Sequence, residues 1–275
     1  MKNQYYIKLV REPSELAEDD EEVLLTHIRV KAHLLDKELQ TSTSMKIRFS
    51  QARLQDLSKR LRVYRGKFDV AKPDYRWAER IEELYTRAVQ EQQEFRYPWA
   101  RKERVRISES QFEKLLTTRR SIRKFTTKEI DDDLIRKILT LTHWAPTNCN
   151  QQSLRFVVVA SPEIRKQLVH GGLQGAMSPC IVAVLADMRF YSPGDIECPA
   201  HDAGAAIQTM LLAIHYYGLG ACYTSSLASN SKRNRALLRV REHEKIMALI
   251  WVGHYEHRPI PPARREVSEI IRHLY

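Results

Sequence analysis

Near residue 107 the apolar residues of this chain change period. Before that point Leu24, Ile28, Ala32, Leu35 and Leu39 recur at steps of three or four, and so do Leu54, Leu57, Leu61 and Tyr64, a stripe that Ile47 precedes. A third stripe runs through Trp77, Ile81, Leu84 and Ala88 toward Phe95. Such spacing gathers each set on one face of an amphipathic helix. Gly66 and Pro73 separate the second helix from the third, since glycine ends helices and proline fits only their first turn. The tracts RVYRGK, DYRWAER and VQEQQEFR give these helices long polar faces with little continuous apolar surface, so they are expected to pack on something else. Two readings stand side by side: a three-helix domain, or a helical arm that wraps the second region or a partner subunit. The connection is RYPWARKERVRIS, residues 96–108, with Pro98 in a charged stretch.

After residue 107 the element types alternate. A capped helix is expected over Ser108–Thr117, then the extended SIRKF tract, then a helix over 131–143 with acids in its first turn. Strands are expected at Leu154–Ala160, 181–186, 221–224 and 245–252, where β-branched and small apolar residues run together. Helices are expected over 161–170, 201–217 and 267–273, with Gly218 and Gly220 ending the second. The fold class is therefore α+β, a central sheet of four to five strands enclosed by helices, with an all-helical N-terminal extension. The domains divide as 1–106 and 107–275.

A chain of 275 residues, 43% hydrophobic and 29% charged, can bury a sizeable core. The N-terminus lacks the apolar centre of a secretory signal, and no run of about eighteen apolar residues occurs, so a cytoplasmic protein without a membrane span is expected. Cys149, Cys180, Cys198 and Cys222 match neither a CxxC pair nor a zinc knuckle, and Cys198, His201 and Asp202 alone make a weak metal tract. No metal is expected. The net charge of +11 invites nucleic acid, but the basic residues are interleaved with acids and no DNA-binding motif accompanies them, so none is expected. His143, His215 and Tyr216 read as packing residues, and Trp144 and Trp251 as core.

Two tracts carry chemistry. Arg119-Arg120-Ser121-Ile122-Arg123-Lys124-Phe125 puts four cations and a hydroxyl where a helix gives way to an extended segment, and arginine forks bind phosphate oxygens in pairs. Alternation points Arg119, Ser121 and Arg123 to one face; a solvated basic run is the rival reading. The second tract, Ala145-Pro-Thr-Asn-Cys-Asn-Gln-Gln-Ser-Leu-Arg-Phe156, packs amides and a hydroxyl into a loop, groups able to read the donors and acceptors of a heterocycle's edge.

Together these tracts resemble the nitroreductase family, in which an RRSxR segment opens the domain and an AP(S/T)xxNxQPWRF segment follows about two dozen residues later. The resemblance continues through Gly204–Thr224, similar to that family's central helix and the loop after it, and ends with Ile250-Trp-Val-Gly-His-Tyr and Ala263-Arg264-Arg265. It implies an FMN-dependent oxidoreductase that takes hydride from NADH or NADPH and reduces a nitro, quinone or related small-molecule acceptor by ping-pong transfer. It also implies a homodimer with FMN at the subunit interface, in which the flavin rather than a side chain carries the catalysis. Arg119, Arg120, Ser121 and Arg123 would hold the phosphate and nearby ring edge, with Arg264 and Arg265 as late phosphate arginines. Pro146, Thr147, Asn148 and Asn150 would reach the same flavin from the other subunit. Tyr223, Thr224 and Ser225 would approach the ring, while Gln152 would be structural. Ser153-Leu154 replaces the usual Pro-Trp, and Thr224-Ser225-Ser226 replaces a frequent glycine pair. Alternatives are an oxidase or dehydrogenase of a specific metabolite, or a flavin-binding scaffold.

Overall fold

The computed structural model describes residues 20–41, 50–91, 94–168, 178–192, 194–225 and 227–272. Three N-terminal helices form first: α1 (Glu21–Thr41), α2 (Gln51–Arg65) and α3 (Pro73–Glu91). The Ser50 side chain caps α2 by accepting from the Arg53 N–H, Gly66 closes it, and Pro73 occupies the first turn of α3, where no backbone donor is lost. Ile47 lies outside the described residues.

These helices share a core of their own, built from Leu24, Ile28, Leu35, Leu57, Leu61 and Ile81 together with Tyr64, Tyr75 and Tyr85. The tyrosines correct the expectation of helices short of apolar surface. Tyr64, on the expected stripe of α2, and Tyr75, within a tract read as polar, are both buried, with ring centroids 5.0 Å apart. Their hydroxyls resolve the conflict, because a buried phenol needs only one polar partner at its tip: Tyr64 donates to Glu21 at 2.7 Å and Tyr85 donates to Glu38. The buried face of α3 is accordingly Tyr75, Ala78, Ile81, Tyr85 and Ala88, while Trp77 and Leu84 pack only at its margin.

The second region contains α4 (Glu109–Thr118), α5 (Asp132–Thr142), β1 (Leu154–Val159), α6 (Pro162–Gln167), β2 (Cys180–Asp187), α7 (Cys198–Tyr216), β3 (Gly220–Thr224), α8 (Lys232–Leu237), β4 (Glu244–Gly253) and α9 (Val267–Ile270). The strands pair antiparallel in the order β1-β2-β4-β3. Ser121 adds a single parallel bridge to Ala221 beyond β3. Both faces of the sheet are covered, which explains why its central strands run apolar over Cys180–Ala186 and Ile246–Val252 rather than at alternate positions. Val182 and Val184 of β2 face Ile138 of α5 and Ile207, Met210 and Ile214 of α7. Ile181, Ala183 and Leu185 face the opposite layer, with Ile122, Phe125, Leu238 and Trp251.

Trp251 fills this core at 2% exposure, but Trp144 is 84% exposed and corrects the expectation that it would be buried. It follows α5 in the turn at the helix end, beyond the last residue that faces the sheet. Helix α7 starts three residues earlier than expected because Pro199 suits its first turn. Helix α6 ends at Gln167 and α9 at Ile270; His170 and His273, to which the expected helices ran, lie outside the described residues.

Helix α1 joins the two regions. Asp20 and Glu22, at its N-terminus, ion-pair with Arg189 just beyond β2, and Glu22 also pairs with Arg155 of β1. Among the described residues, no helix is long and apolar enough to cross a membrane.

Candidate functional site

The arginine tract is placed by backbone pairing. Helix α4 begins with a full capping box, in which Ser108 and Gln111 satisfy each other's backbone N–H, and it ends at Arg119, whose backbone turns extended. From there the Ile122 N–H donates to the Ala221 carbonyl at 2.9 Å, laying the tract beside β3. Gly220 permits this approach, since a Cβ there would meet Ile122 and Tyr255 side-chain atoms at 2.7 Å. The geometry therefore brings Arg119, Arg120, Ser121 and Arg123 next to the strand that carries Tyr223 and Thr224. Tyr223 is 46% exposed, and Ser225 is exposed just after the strand.

Within the tract, Arg120 and Arg123 bond to backbone carbonyls rather than to acids. Arg120 donates to the carbonyls of Thr117 and Arg119, and Arg123 to that of Ser121. None of Arg119, Arg120 and Arg123 has a carboxylate partner among the described residues, and the Arg120 Nε is buried without a hydrogen-bond partner. A shallow hollow lies here, lined by Arg119, Arg120, Leu211, His215 and Tyr255. Burial, then the guanidiniums of Arg119, Arg258 and Arg120, push His215 below the ordinary imidazole value, which favours the neutral ring. Its Nε2 lies 2.9 Å from the Thr118 hydroxyl. Burial raises the Cys222 thiol, while Arg123, the Ser121 hydroxyl and Arg119 pull it back.

The amide loop sits at the other end of α7. The Asn148 N–H donates to the Asp202 carboxylate at 2.8 Å, and Tyr191 donates to the same carboxylate at 2.8 Å. Burial raises Asp202 above the usual carboxylate range, against the lowering effect of those two bonds. Cys149, Asn150 and Gln152 all have positive φ, of 46°, 54° and 53°. Gln152 donates its backbone N–H to the Thr147 hydroxyl and its side-chain amide to Asn150, in keeping with a structural role. Pro146 is exposed, and Thr147, Asn148 and Asn150 are half-buried.

Asp202 and His215, which anchor the two tracts, lie thirteen residues apart on α7, or roughly 20 Å along its axis. One chain therefore does not bring the arginine tract and the amide loop together. Arg264 and Arg265 lie on the exposed segment after β4; Arg264 bonds the Ala263 carbonyl, and Arg265 bonds the Glu269 carbonyl and ion-pairs with its carboxylate at 3.9 Å. Two residues of this segment approach the first tract: Tyr255 lines the hollow with Arg119 and Arg120, and Arg258 donates to the carbonyl of Thr118, just before the tract, at 3.4 Å. Sequence reasoning gave no site role to Arg258 or Tyr255 and read Asp202 only as part of a weak metal tract. Tyr255 closes the Ile250–Tyr255 motif and Arg258 follows it, a signal that could have found both, whereas nothing local marks Asp202 as the partner of Asn148.

Comparison with known proteins identifies the family of this fold. Residues 116–170 and 171–254, just over half of the chain, match the family model described as Nitroreductase family. A protein of Archaeoglobus fulgidus, carried under the provisional name NADH dehydrogenase/NAD(P)H nitroreductase, is 29% identical over 146 residues, which is 51% of this chain and 83% of that protein. The NADH dehydrogenase of Thermus thermophilus is 24% identical over 188 residues, covering 56% of this chain and 91% of that protein. Among solved structures, a nitroreductase family protein of Streptococcus pneumoniae superposes with a TM-score of 0.53 at 21% identity, over 58% of this chain and 98% of that one. The three-helix bundle lies outside the family match. The chain belongs to the nitroreductase family and is an oxidoreductase.

Proposed function

We propose that residues 107–275 form an FMN-binding domain that uses NADH or NADPH to reduce a nitro, quinone or related acceptor. The observation that carries this reading is the set of arginines without carboxylate partners beside β3, with the buried, unpartnered Nε of Arg120 among them. An unpaired cluster of cations is costly unless an anion completes it, and a phosphate monoester suits arginine forks and a serine hydroxyl. Arg119, Arg120, Ser121 and Arg123 would hold that phosphate and the near ring edge. Arg264 and Arg265 would close on it from the C-terminal segment.

Tyr223, Thr224 and Ser225 would line the ring, where backbone N–H groups favour negative charge developing on reduction. The redox chemistry itself, hydride acceptance from the nicotinamide and ping-pong delivery to the acceptor, belongs to FMN. Pro146, Thr147, Asn148 and Asn150 would complete the site from a second copy. The roughly 20 Å between the two tracts along α7 supports a shared site, as do exposed apolar residues on α4, α7 and α9: Phe112, Leu116, Tyr216, Val267 and Ile270. Purified protein should be yellow, load FMN, sediment as a dimer and bleach anaerobically with NADH or NADPH. Protein that stays colourless after incubation with FMN refutes the proposal; a loaded protein bleached only by one metabolite, and not by a nicotinamide, turns it into a dehydrogenase.

A further inference from the structure

We infer that the N-terminal bundle is a working part of the flavin site, with Arg29 of α1 as the positioning residue that holds the Asn148–Gln152 loop through the Gln151 carbonyl. This inference rests on the FMN reading above.

The loop needs support from outside. Cys149, Asn150 and Gln152 occupy the left-handed region, and side chains other than glycine adopt it at a cost that surrounding structure must offset. Asp202 fixes the start of the loop at the Asn148 N–H. Its end is fixed by two arginines on successive carbonyls. Arg29 Nη2 donates to the Gln151 carbonyl at 2.9 Å, and Arg155 Nη1 donates to the Gln152 carbonyl at 3.0 Å. Both depend on α1, since Arg155 is itself ion-paired with Glu22.

Arg29 is placed for one geometry. It is 6% exposed, its Nη1 donates to Asp74 of α3 at 2.7 Å, and its Nη2 also meets the Thr26 hydroxyl. A guanidinium anchored on Asp74 of α3 through Nη1, with Nη2 shared between Thr26 of α1 and the loop carbonyl, transmits the bundle's position to that loop, while its buried Nε has no hydrogen-bond partner among the described residues. A bundle with a complete apolar core of its own has no need of a buried cation at its edge. The contact with the loop gives the cation a task.

The test uses the full chain. In Arg29→Met, amides of residues 150–153 should exchange with solvent about tenfold faster in FMN-free protein, and the FMN dissociation constant should rise about tenfold, the effect of one charge-assisted hydrogen bond. Arg29→Lys keeps the charge but not the fork and should restore part of both. Helix content should be unchanged throughout. If Arg29→Met does not fold, Glu22→Gln, which loosens Arg155 at a partly exposed position, carries the same measurement. Native exchange at residues 150–153 in a folded variant overturns the inference, and so does an altered loop with native FMN affinity and an unaltered bound-flavin circular dichroism spectrum. Wild-type protein that binds no FMN sinks the proposed function instead, and loop exchange then decides by itself whether Arg29 positions the loop.

Discussion

Several arginines of the bundle and the three of the tract beside β3 are treated in opposite ways by the same chain. In the bundle Arg29 faces Asp74, Arg53 faces Glu38, Arg60 faces Asp56 and Arg87 faces Glu91. Beside β3, Arg119, Arg120 and Arg123 have only backbone carbonyls or no partner among the described residues, although the chain supplies 34 acids against 45 lysines and arginines. The excess of positive charge is thus not spread evenly. Those four bundle cations are neutralised on site, whereas the three beside β3 lie together without carboxylates, an arrangement that an outside anion would complete.

The largest expected effect breaks the comparison at the tract. Replacing Arg119 and Arg123 by Ala together should weaken FMN binding by a few kcal/mol, since each charge-assisted hydrogen bond is worth about 1.5 to 3 kcal/mol. Fluorescence titration of free FMN reads this directly, and folding stability should stay near that of the unaltered protein without FMN. Equal affinity would remove the phosphate assignment. The mirror-image change in the bundle should cost stability: Asp74→Ala strands a guanidinium that is 7% exposed and should lower unfolding free energy by about 3 kcal/mol, the lower end for broken buried pairs because Asp74 itself is 22% exposed. Urea denaturation measures it, and a loss under about 1 kcal/mol would mean that the pair is screened like a surface one.

These contrasts explain what the sequence made legible. The strands were readable because β2 and β4 are covered on both faces and carry continuous apolar runs, Cys180–Ala186 and Ile246–Val252. The tract at Arg119–Phe125 was readable because its cations are contiguous, and the amide loop because its polar residues fall between a helix and a strand. The bundle's buried face was read correctly at Tyr64, which falls on the apolar stripe, but missed at Tyr75, where charged neighbours disguise a ring that stacks on Tyr64. Trp144 misled in the other direction, since ring size suggests burial but its place past the end of α5 decides exposure. The junction with the loop was illegible for a different reason. Arg29 and Gln151 are 122 residues apart, and no local pattern tells a helix arginine that reaches a distant carbonyl from one that faces water.

A pH change separates the regions without mutation. Burial, then Arg60 and Lys31, lowers His27 of α1 from 6.5 to about 4, and the Arg60 Nη1 lies 3.2 Å from its Nδ1, as suits a neutral ring that accepts. Between those two values the unfolded chain takes up a proton that the folded bundle refuses, so stability rises with pH across the window and falls as pH drops from about 6.5 toward about 4. The expected loss is about 2 kcal/mol, below the ceiling set by about 1.4 kcal/mol per pH unit. Chemical denaturation at intervals across the window should show it for the bundle. A His27→Gln chain that keeps the same pH slope would assign the slope to other groups.

The smallest effect sharpens the rule about neutralised arginines. Arg87 and Glu91 pair at 3.1 Å one turn apart on α3, with the Arg87 side chain 59% exposed. Water and salt screen such a pair, and ordering two long side chains offsets much of its attraction, so Arg87→Ala should cost only about 0.3 to 0.5 kcal/mol. Adding salt should shrink that difference further. FMN affinity should not move at all, because the change removes a cation that already has its carboxylate and lies on the bundle. If Arg87→Ala weakened FMN binding as Arg123→Ala does, net positive charge alone would draw the anion, and the partnering of individual arginines would carry no information about the site.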